Sequence, residues 1–402
     1  IARVRHALDD AVRVRLRADV PVSCYLSGGL DSCAVLGIAQ RHASQPLQAY
    51  TIAFADDRQS EYNEEPIARE MAAHAGARYT PIEVTTRSLV ERFAESVWHA
   101  ENVVINLHAT AKFVLSEAVR EAGHKVVLTG EGSDEIFAGY ASFRKDHLLS
   151  RHTGAAAQDA LRALVAKNSA SAGILLSERA DALPALERTL GFTPAFLEPF
   201  ASQAAGLRGL LSRDVLGRYA HRDGHRVLLN EVDVSRQLQG RDRVHQAMYL
   251  WSKTQLNTYI LTCLGDRMEM AHSVEGRTPM LDHLLVEQVV RMPADVKIKG
   301  TTEKHLLREA ARPVLTERVY RRQKHPFLAP PAPKGALDLL DTLLNDTLRS
   351  AAAGSLPFYD RSALTALLDA RARGDAAARA ASEPTLMAAL SFAVMQDRFA
   401  LS

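Results

Sequence analysis

Two short glycine-rich segments of the chain combine hydroxyl and carboxylate side chains in patterns that suit phosphate chemistry. The first holds Ser27, Gly28, Gly29, Asp31 and Ser32, and it lies between a short apolar run and a helical pattern. Its glycines let the backbone approach a ligand closely, and successive N–H groups at a helix N-terminus bind anions. Asp31 would repel a phosphate unless a divalent cation lay between them, so this loop predicts a Mg²⁺-bound pyrophosphate.

The second segment, at residues 127–140, is acidic. Gly130 and Gly132 again allow close approach of the backbone, while Glu131, Asp134 and Glu135 concentrate negative charge there. Such a cluster predicts a cation or a cationic substrate group nearby, because neighbouring carboxylates repel each other in an empty site. The alternative is an acidic first turn of a helix, which the helix dipole stabilises. The first loop in the same chain favours the functional interpretation.

Strands and helices alternate around these two segments, which predicts an α/β fold. Short apolar runs predict strands at 22–26, 49–54, 79–84 and 125–129. Helical patterns lie at 3–18, 31–41, 61–75, 87–98 and 109–122. This alternation predicts right-handed crossovers and a doubly wound parallel sheet with helices on both faces. Because the carboxyl ends of such strands share one crevice, the two segments should meet there.

The later part of the chain predicts helices only. The strand pattern stops near residue 141, and the remaining patterns are helical apart from a proline-rich loop at 326–333. We expect one domain over 1–333, with its sheet core at 1–150 and its helical part at 151–333, and a helical tail at 334–402 packed on it. Trp98 and Trp251 are expected to lie in the core.

The composition excludes several classes of protein. The chain has 402 residues, with 49 Lys and Arg against 47 Asp and Glu, and this net charge of +2 argues against a nucleic-acid-binding protein. No apolar run is long enough to span a membrane. Cys24, Cys33 and Cys263 are too scattered for a disulfide framework or a zinc site, which predicts a cytoplasmic protein. We therefore expect neither a nucleic acid nor a membrane as partner.

The first loop resembles the pyrophosphate loop of the ATP pyrophosphatase superfamily. Residues 127–140 are similar to the synthetase domain of the class B, glutamine-hydrolysing asparagine synthetases. Further matches follow in that family's order at 265–282, 303–308 and 321–327. The resemblance covers residues 1–333 and is weakest in 150–240. It implies the adenine nucleotide alpha hydrolase-like fold and an AMP-forming carbon–nitrogen ligase.

The resemblance implies that ATP binds at these two segments together with Mg²⁺. Contacts with adenosine, largely through the backbone, map to Leu26 and Ile52. Further ATP contacts map to Thr129 and Gly130, in the turn that follows the fourth predicted strand.

The resemblance also implies the metal ligands and the catalytic groups. Asp31 and Asp134 map to the two aspartates that hold Mg²⁺, and Glu131 maps to the glutamate that governs formation of the β-aspartyl-adenylate. Lys304 maps to a position beside the α-phosphate, where a cation would offset the charge that an attacking carboxylate brings. Arg277 has two interpretations, as the partner of a substrate carboxylate or of an internal aspartate.

The implied reaction joins ATP and a carboxylic acid, with aspartate expected, into an acyl-adenylate and pyrophosphate. Ammonia then displaces AMP, which gives asparagine when aspartate is the acid. Thr278 and Met280 depart from the residues that the family often carries there. The alternative is a related ligase that forms an amide, a lactam or a cyclic peptide in a natural-product pathway.

Two further classes of protein predict features that the sequence does not match. An RNA-binding tRNA modifier should carry an appended basic domain, whereas the charge is near neutral. Lys324 does belong to a short basic run, which suits either RNA or a lid over pyrophosphate. A regulatory ATP-binding module should have lost acidic or basic residues of the site, and all of those named above are present.

The resemblance implies a source of ammonia outside this chain. The glutaminase half of the family begins with a cysteine, whereas this sequence opens with Ile1 and its first thiol, Cys24, falls within a predicted strand. We expect ammonia from a glutaminase domain missing here, from a partner protein or from solution, and the start at Ile1 favours a truncated sequence. A homodimer is a further expectation from the family.

Overall fold

A computed structural model describes residues 1–57, 63–168, 176–177, 183–324, 334–350 and 356–401. The proline-rich loop predicted at 326–333 lies outside the described residues. None of the described helices combines the length and the apolar character needed to cross a bilayer.

A five-stranded sheet forms the centre of the fold, with strand order β3-β2-β1-β4-β5. Its strands are β1 (Val22–Tyr25), β2 (Gln48–Phe54), β3 (Arg78–Val84), β4 (Val126–Leu128) and β5 (Glu275–Arg277). Every pairing is parallel, and β1 lies between β2 and β4. The parallel sheet and the four strands predicted before residue 141 are confirmed.

The expectation that no strand follows residue 141 is wrong. In β5, Glu275 pairs with Val126 and Arg277 pairs with Leu128 of β4. This strand is three residues long and carries a charged residue, a glycine and another charged residue, so it has no apolar run. An edge strand of this kind pairs through its backbone, and side-chain patterns do not reveal it.

Helices surround the sheet. Those that alternate with the first four strands are α1 (Ala2–Arg15), α2 (Leu30–His42), α3 (Glu65–Ala75), α4 (Thr86–Ala100) and α5 (His108–Glu121). Between β4 and β5 the helices are α6 (Ser133–Phe137), α7 (Ala141–Arg151), α8 (Gly154–Ala166), α9 (Pro184–Leu190), α10 (Leu197–Arg208), α11 (Arg213–Arg218), α12 (Gly224–Asn230), α13 (Val234–Gln237), α14 (Arg243–Trp251), a π-helix (Ser252–Asp266) and α15 (Arg267–Met270). After β5 come α16 (His283–Val290), α17 (Ala294–Lys297), α18 (His305–Ala311), α19 (Glu317–Arg321), α20 (Lys334–Leu348), α21 (Arg361–Arg373) and α22 (Ala376–Phe399).

Both faces of the sheet are covered, as the doubly wound prediction requires. On one face, Cys24 and Leu128 pack with residues of α1, α2 and α18. On the other face, Tyr25 and Val127 pack with Val119 of α5. Successive strand residues therefore enter opposite cores, and both cores exclude water from the strands.

The helices after residue 334 share a core with helices of the sheet domain. Leu344 of α20 and Leu386 of α22 are buried with Phe93 of α4 and Phe113 of α5. The tail is helical, as predicted, while the division of the chain at residue 333 stays a prediction.

Candidate active site

The two glycine-rich segments meet at the carboxyl ends of β1 and β4. The hydroxyl of Ser133, at the start of α6, donates to Asp31 Oδ1 over 2.7 Å. A methyl group on Gly130 would lie 2.7 Å from the backbone nitrogen of Ser32, so the two backbones are nearly in contact. Only glycine permits this approach, which brings the hydroxyls of the first loop and the carboxylates of the second to one place.

A cavity of about 520 Å³ opens at this junction. The residues predicted from sequence that line it are Leu26, Ser27, Gly29, Asp31, Ser32, Ile52, Thr129, Gly130, Glu131 and Asp134. Most of the candidate residues predicted from the sequence therefore lie on the surface of one cavity. The exceptions are Gly28, Lys304 and Arg277, and each has a different structural reason.

Lys304 is buried immediately beneath the cavity. Its ammonium lies 2.6 Å from Asp31 Oδ2 and 2.7 Å from Asp134 Oδ1, and only 1% of its side chain is exposed. Lys304 precedes α18 with a φ of 51°, in the left-handed region that residues other than glycine seldom adopt. Strained backbone of this kind is concentrated at functional sites, and here it directs the lysine between the two aspartates.

Lys324 is a second lysine at the same carboxylates, and it lines the cavity. Its ammonium lies 2.7 Å from Asp134 Oδ2 and 3.9 Å from Asp31 Oδ2. Burial would lower the pKa of Lys324, but the Asp134 and Asp31 carboxylates outweigh burial and raise it. Burial would likewise raise the pKa of Asp134, but Lys304 and Lys324 lower it. Asp134 and Lys324 therefore stay charged at neutral pH.

Glu303 fixes the positions of the two lysines relative to each other. Its buried carboxylate accepts from the Arg308 guanidinium and, over 2.8 Å, from the backbone nitrogen of Lys324. Arg144 lies 3.3 Å from the other carboxylate oxygen. Burial would raise the pKa of Glu303, but the two arginines lower it. Because Glu303 precedes Lys304 in the chain and binds Lys324 directly, it couples the positions of both cations.

Glu135 is a buried carboxyl behind the cavity wall. Its Oε1 accepts from the Tyr140 hydroxyl over 2.9 Å and from the Trp251 indole nitrogen over 3.0 Å. Burial, with the charge of Asp134 as the next cause, raises the pKa of Glu135 from its ordinary value of 4.5 to about 7. Tyr140 and Trp251 line the cavity, so a carboxyl that is protonated below about pH 7 positions two aromatic rings of the wall.

Glu135→Gln is expected to remove a pH-dependent loss of stability. The folded protein keeps this proton up to about pH 7, whereas the unfolded chain releases it near 4.5, so stability falls as pH rises through that interval. A glutamine carbonyl can accept the same two hydrogen bonds without ionising. The unfolding free energy of the variant minus that of the parent chain should therefore rise by roughly 2–3 kcal/mol from about pH 5 to about pH 8, measured by denaturant unfolding.

The control for this prediction is Glu287→Gln on the exposed side of α16. This variant should keep the unfolding free energy within about 0.5 kcal/mol of the parent value at both about pH 5 and about pH 8. An equal change in stability for Glu135→Gln at both pH values would contradict the assignment of the titration to Glu135.

Arg277 lies outside the cavity lining. Its guanidinium donates to the backbone carbonyls of Arg15 and Arg17 over 2.7 and 2.8 Å, and to Glu275 over 2.7 Å. These contacts attach the segment that follows α1 to β5. The acidic partner of Arg277 is thus a neighbour on its own strand, which neither of its two sequence interpretations anticipated.

Gly28 supports the first loop from behind. It has a φ of 72°, and a methyl group there would lie 3.0 Å from the backbone oxygen of Glu64. Its carbonyl accepts from Arg322 over 3.1 Å, and Arg322 also pairs with the Glu64 carboxylate over 2.8 Å. Gly28 therefore shapes the loop without facing the cavity.

The opposite side of the cavity comes from parts of the chain in which the sequence indicated no site. It is formed by residues of segment 102–108, of α10 and of the π-helix. Trp251, at the end of α14, is buried as expected, yet it also lines the cavity. The motifs gave no signal for this side, because its residues face the cavity only after the helical part has packed.

Comparison with known proteins identifies the family of the chain. The family model for asparagine synthase matches residues 3–396. The chain is 32% identical to "Amidase chry2" of Gibberella zeae over 366 residues, covering 81% of this chain and 52% of that protein. It is 34% identical to "Amidase chyE" of Penicillium rubens over 363 residues, with the same coverage of 81% and 52%.

A third relative carries the name of the family itself. It is "Asparagine synthetase [glutamine-hydrolyzing] 1" of Bacillus subtilis, 28% identical over 335 residues, covering 82% of this chain and 50% of that protein. The chain spans about half the length of these three relatives. The resemblance seen in the sequence is confirmed, and the chain belongs to the asparagine synthase family.

Proposed function

We propose that this chain uses ATP to adenylate a carboxylic acid and then transfers ammonia to the activated acyl group. Membership of the asparagine synthase family indicates an enzyme of the ligase type. One observation carries the proposal: two aspartates and two lysines, with contacts of 2.6–2.7 Å, converge beside a loop suited to phosphate at the carboxyl ends of parallel strands.

The first loop is proposed to bind the phosphates of ATP. Backbone N–H groups at the start of the 13-residue helix α2 provide an anion site. The Ser32 hydroxyl already bonds with the Ser27 hydroxyl and backbone nitrogen over 3.1 Å, so both donors are held at the loop. Leu26 and Ile52, which line the cavity at the ends of β1 and β2, are proposed to contact adenosine.

Asp31 and Asp134 fit the role of Mg²⁺ ligands. Mg²⁺ is usually held by one or two carboxylates together with substrate phosphates and water. Asp134 Oδ1 is buried and, within the part of the chain described, has an ionic contact with Lys304 but no hydrogen bond. It therefore keeps capacity for another partner. When bound, Mg²⁺ would neutralise part of the phosphate charge.

The lysines and Glu131 are proposed to serve the two half-reactions. In the first, a carboxylate oxygen bonds to the α-phosphorus, the bond to the β-phosphate oxygen breaks, and pyrophosphate leaves; Lys304 and Lys324 offset the charge that accumulates. In the second, the nitrogen of ammonia bonds to the acyl carbon and AMP leaves. Glu131, half-buried in the cavity wall, is proposed to position the acceptor and to receive the proton lost by nitrogen.

Two acceptors are compatible with this chemistry. The family name suggests aspartate, which would give asparagine. The two relatives named amidases favour the second candidate, a ligase that forms an amide, a lactam or a cyclic peptide from another acid. The source of ammonia and the assembly into a homodimer stay predictions, as does the cytoplasmic location.

The experiment that tests the proposal is exchange of labelled pyrophosphate into ATP, with ammonium omitted and a panel of carboxylic acids added singly. We expect exchange that requires an acid, and a loss of about tenfold in Glu131→Gln, since each 1.4 kcal/mol of lost transition-state stabilisation is a factor of ten. Glu287→Gln on α16 is the control and should exchange normally. The proposal would be overturned if folded protein that binds ATP failed to exchange pyrophosphate with every acid of the panel.

A further inference from the structure

The side of the cavity opposite the two loops has a chemistry of its own. We call it the far wall, and it consists of the cavity-lining residues in segments 102–106, 200–207 and 251–264. No member of the far wall among the described residues is charged. Eight of its fourteen side chains are aliphatic or aromatic, and six carry an amide or a hydroxyl. The loops opposite carry the carboxylates of Asp31, Glu131 and Asp134, with Lys324 beside them.

The three segments of the far wall form one surface. Asn106 donates to the Tyr259 hydroxyl over 3.2 Å, which joins the first segment to the π-helix. The rings of Phe200 and Trp251 lie 6.4 Å apart, which joins α10 to the start of that helix. The far wall is therefore one continuous, uncharged face rather than a set of scattered side chains.

The π-helix and Trp251, which immediately precedes it, supply six of the fourteen residues of the far wall, more than either of the other two segments. Trp251, Gln255, Tyr259 and Leu264 line the cavity and are spaced four or five residues apart. Residues four apart share a face in an α-helix as well. The five-residue step from Tyr259 to Leu264 would turn Leu264 away in an α-helix, whereas the wider π turn, with bonds from residue i to i+5, keeps it on the same side. π turns are rare, and they are frequent at functional sites.

The far wall begins next to the reacting groups. The ring of Tyr140 lies 4.3 Å from that of Trp251, and the ammonium of Lys324 lies 5.9 Å from the Tyr140 ring centroid. An acid whose carboxylate reaches Lys324 and Glu131 would therefore extend the rest of its structure along aromatic and aliphatic side chains.

The remaining cationic groups of the lining are engaged or neutral. Lys112 lies 3.4 Å from the Glu269 carboxylate and 4.1 Å from the Tyr25 ring centroid. Burial lowers the pKa of His108 to about 4, so its imidazole is neutral at physiological pH. Aspartate would bring a second carboxylate and an ammonium group into this cavity. Burying that carboxylate against an uncharged wall is unfavourable, because its hydration would not be replaced.

From these observations we propose that the acceptor is a carboxylic acid whose remaining part is uncharged and largely apolar, such as an aromatic or N-acylated acid, and not aspartate. This inference rests on the proposed function. The amides of Gln203 and Gln255 provide hydrogen bonds for one uncharged polar group on such an acid.

A binding experiment tests the far wall independently of catalysis. The chain has two tryptophans. The expectation that Trp98 lies in the core is wrong, because its side chain stacks on Phe399 at the surface and is 42% exposed, and it does not line the cavity. Trp98→Phe thus leaves Trp251 as the reporter. Benzoate, phenylpropionate and N-acetylphenylalanine should change its fluorescence with saturation, and aspartate should not. Absence of a saturable change with every apolar acid would overturn the inference.

Pyrophosphate exchange with the same acids gives the second readout. We expect kcat/KM for at least one apolar acid to exceed that for aspartate by about tenfold or more. Exchange with aspartate as efficient as with the apolar acids would overturn this inference and leave the proposed function intact. Saturable binding of apolar acids without any exchange would support the far wall and overturn the proposed adenylation.

A matched pair of variants tests whether the far wall selects the acid. Gln255→Arg places a cation in the far wall and should lower kcat/KM for the apolar acid by about tenfold while raising that for aspartate. Asn257→Arg adds the same charge to the exposed side of the π-helix and should leave both values unchanged. Equal effects of the two variants would contradict a role of the far wall in selecting the acid.

Discussion

Lys304→Met is expected to lower acid-dependent pyrophosphate exchange by about 10³-fold, the size of effect found when one preorganised charge-stabilising group is removed from an active site. The ammonium bridges Asp31 and Asp134 and is almost completely buried. Methionine keeps most of the volume of lysine but supplies neither the charge nor the hydrogen bonds. The negative charge that accumulates at the α-phosphorus would then be repelled by the two carboxylates. Among the described residues, Lys324 would be the close cation that remains beside them.

The substitution should also reduce the unfolding free energy, by about 3 kcal/mol, because it leaves buried carboxylates without a partner. The double variant Asp31→Asn with Lys304→Met removes one of those charges, so it should recover part of the stability but none of the exchange. This combination separates a catalytic loss from a folding loss. Both quantities are measured on the same preparations, by pyrophosphate exchange and by denaturant unfolding.

Lys297→Met provides the matched control, since Lys297 is a lysine of α17 that is also completely buried. Its ammonium lies 3.3 Å from the His245 ring rather than at the cavity, and burial lowers its pKa to about 8. Exchange should be unchanged in this variant. If Lys304→Met retained exchange within tenfold of the parent chain, the lysine would have no part in stabilising the transition state.

The sequence predicts the loops of this site well, because the information that shapes them is local. Asp31 and Asp134 each follow a short apolar run and lie within a few residues of glycines that permit tight backbone turns. Parallel strands then bring their carboxyl ends together, so two local patterns and one topological rule suffice to predict that these residues meet. The contact between Ser133 and Asp31 is the structural outcome.

The far wall could not be predicted in the same way. Phe200 and Trp251 are separated by about 50 residues, and nothing in their local patterns distinguishes a cavity-lining aromatic residue from a core residue. Their role follows from the packing of α10 against the π-helix, and the π turn itself has no signature in hydrophobic periodicity. The contact of Lys324 with Asp134 is likewise set by the buried Glu303, which the sequence does not connect to it.

Gly139→Ala is expected to disrupt the charged centre without removing any functional group. Gly139 follows α6, and its backbone nitrogen donates to the Asp134 carbonyl over 2.9 Å. A methyl group there would overlap both Asp134 Oδ1 and the Cε atom of Lys304. Neither side chain can move aside easily, because Lys304 is fully buried and the Asp134 carboxylate is bound by two ammonium groups. The ion pair must therefore move apart.

The expected loss of exchange is about 10²-fold, since a shift of about 1 Å in a catalytic group can cost that much. The unfolding free energy should fall by about 1–3 kcal/mol, as is typical when a methyl group is forced into a packed interior. Gly217→Ala in α11 adds the same methyl group where nothing lies within 4 Å. It should leave exchange unchanged and stabilise that helix by about 0.5–1 kcal/mol. A Gly139→Ala chain that exchanged pyrophosphate normally would show that the spacing of Asp134 and Lys304 does not limit the reaction.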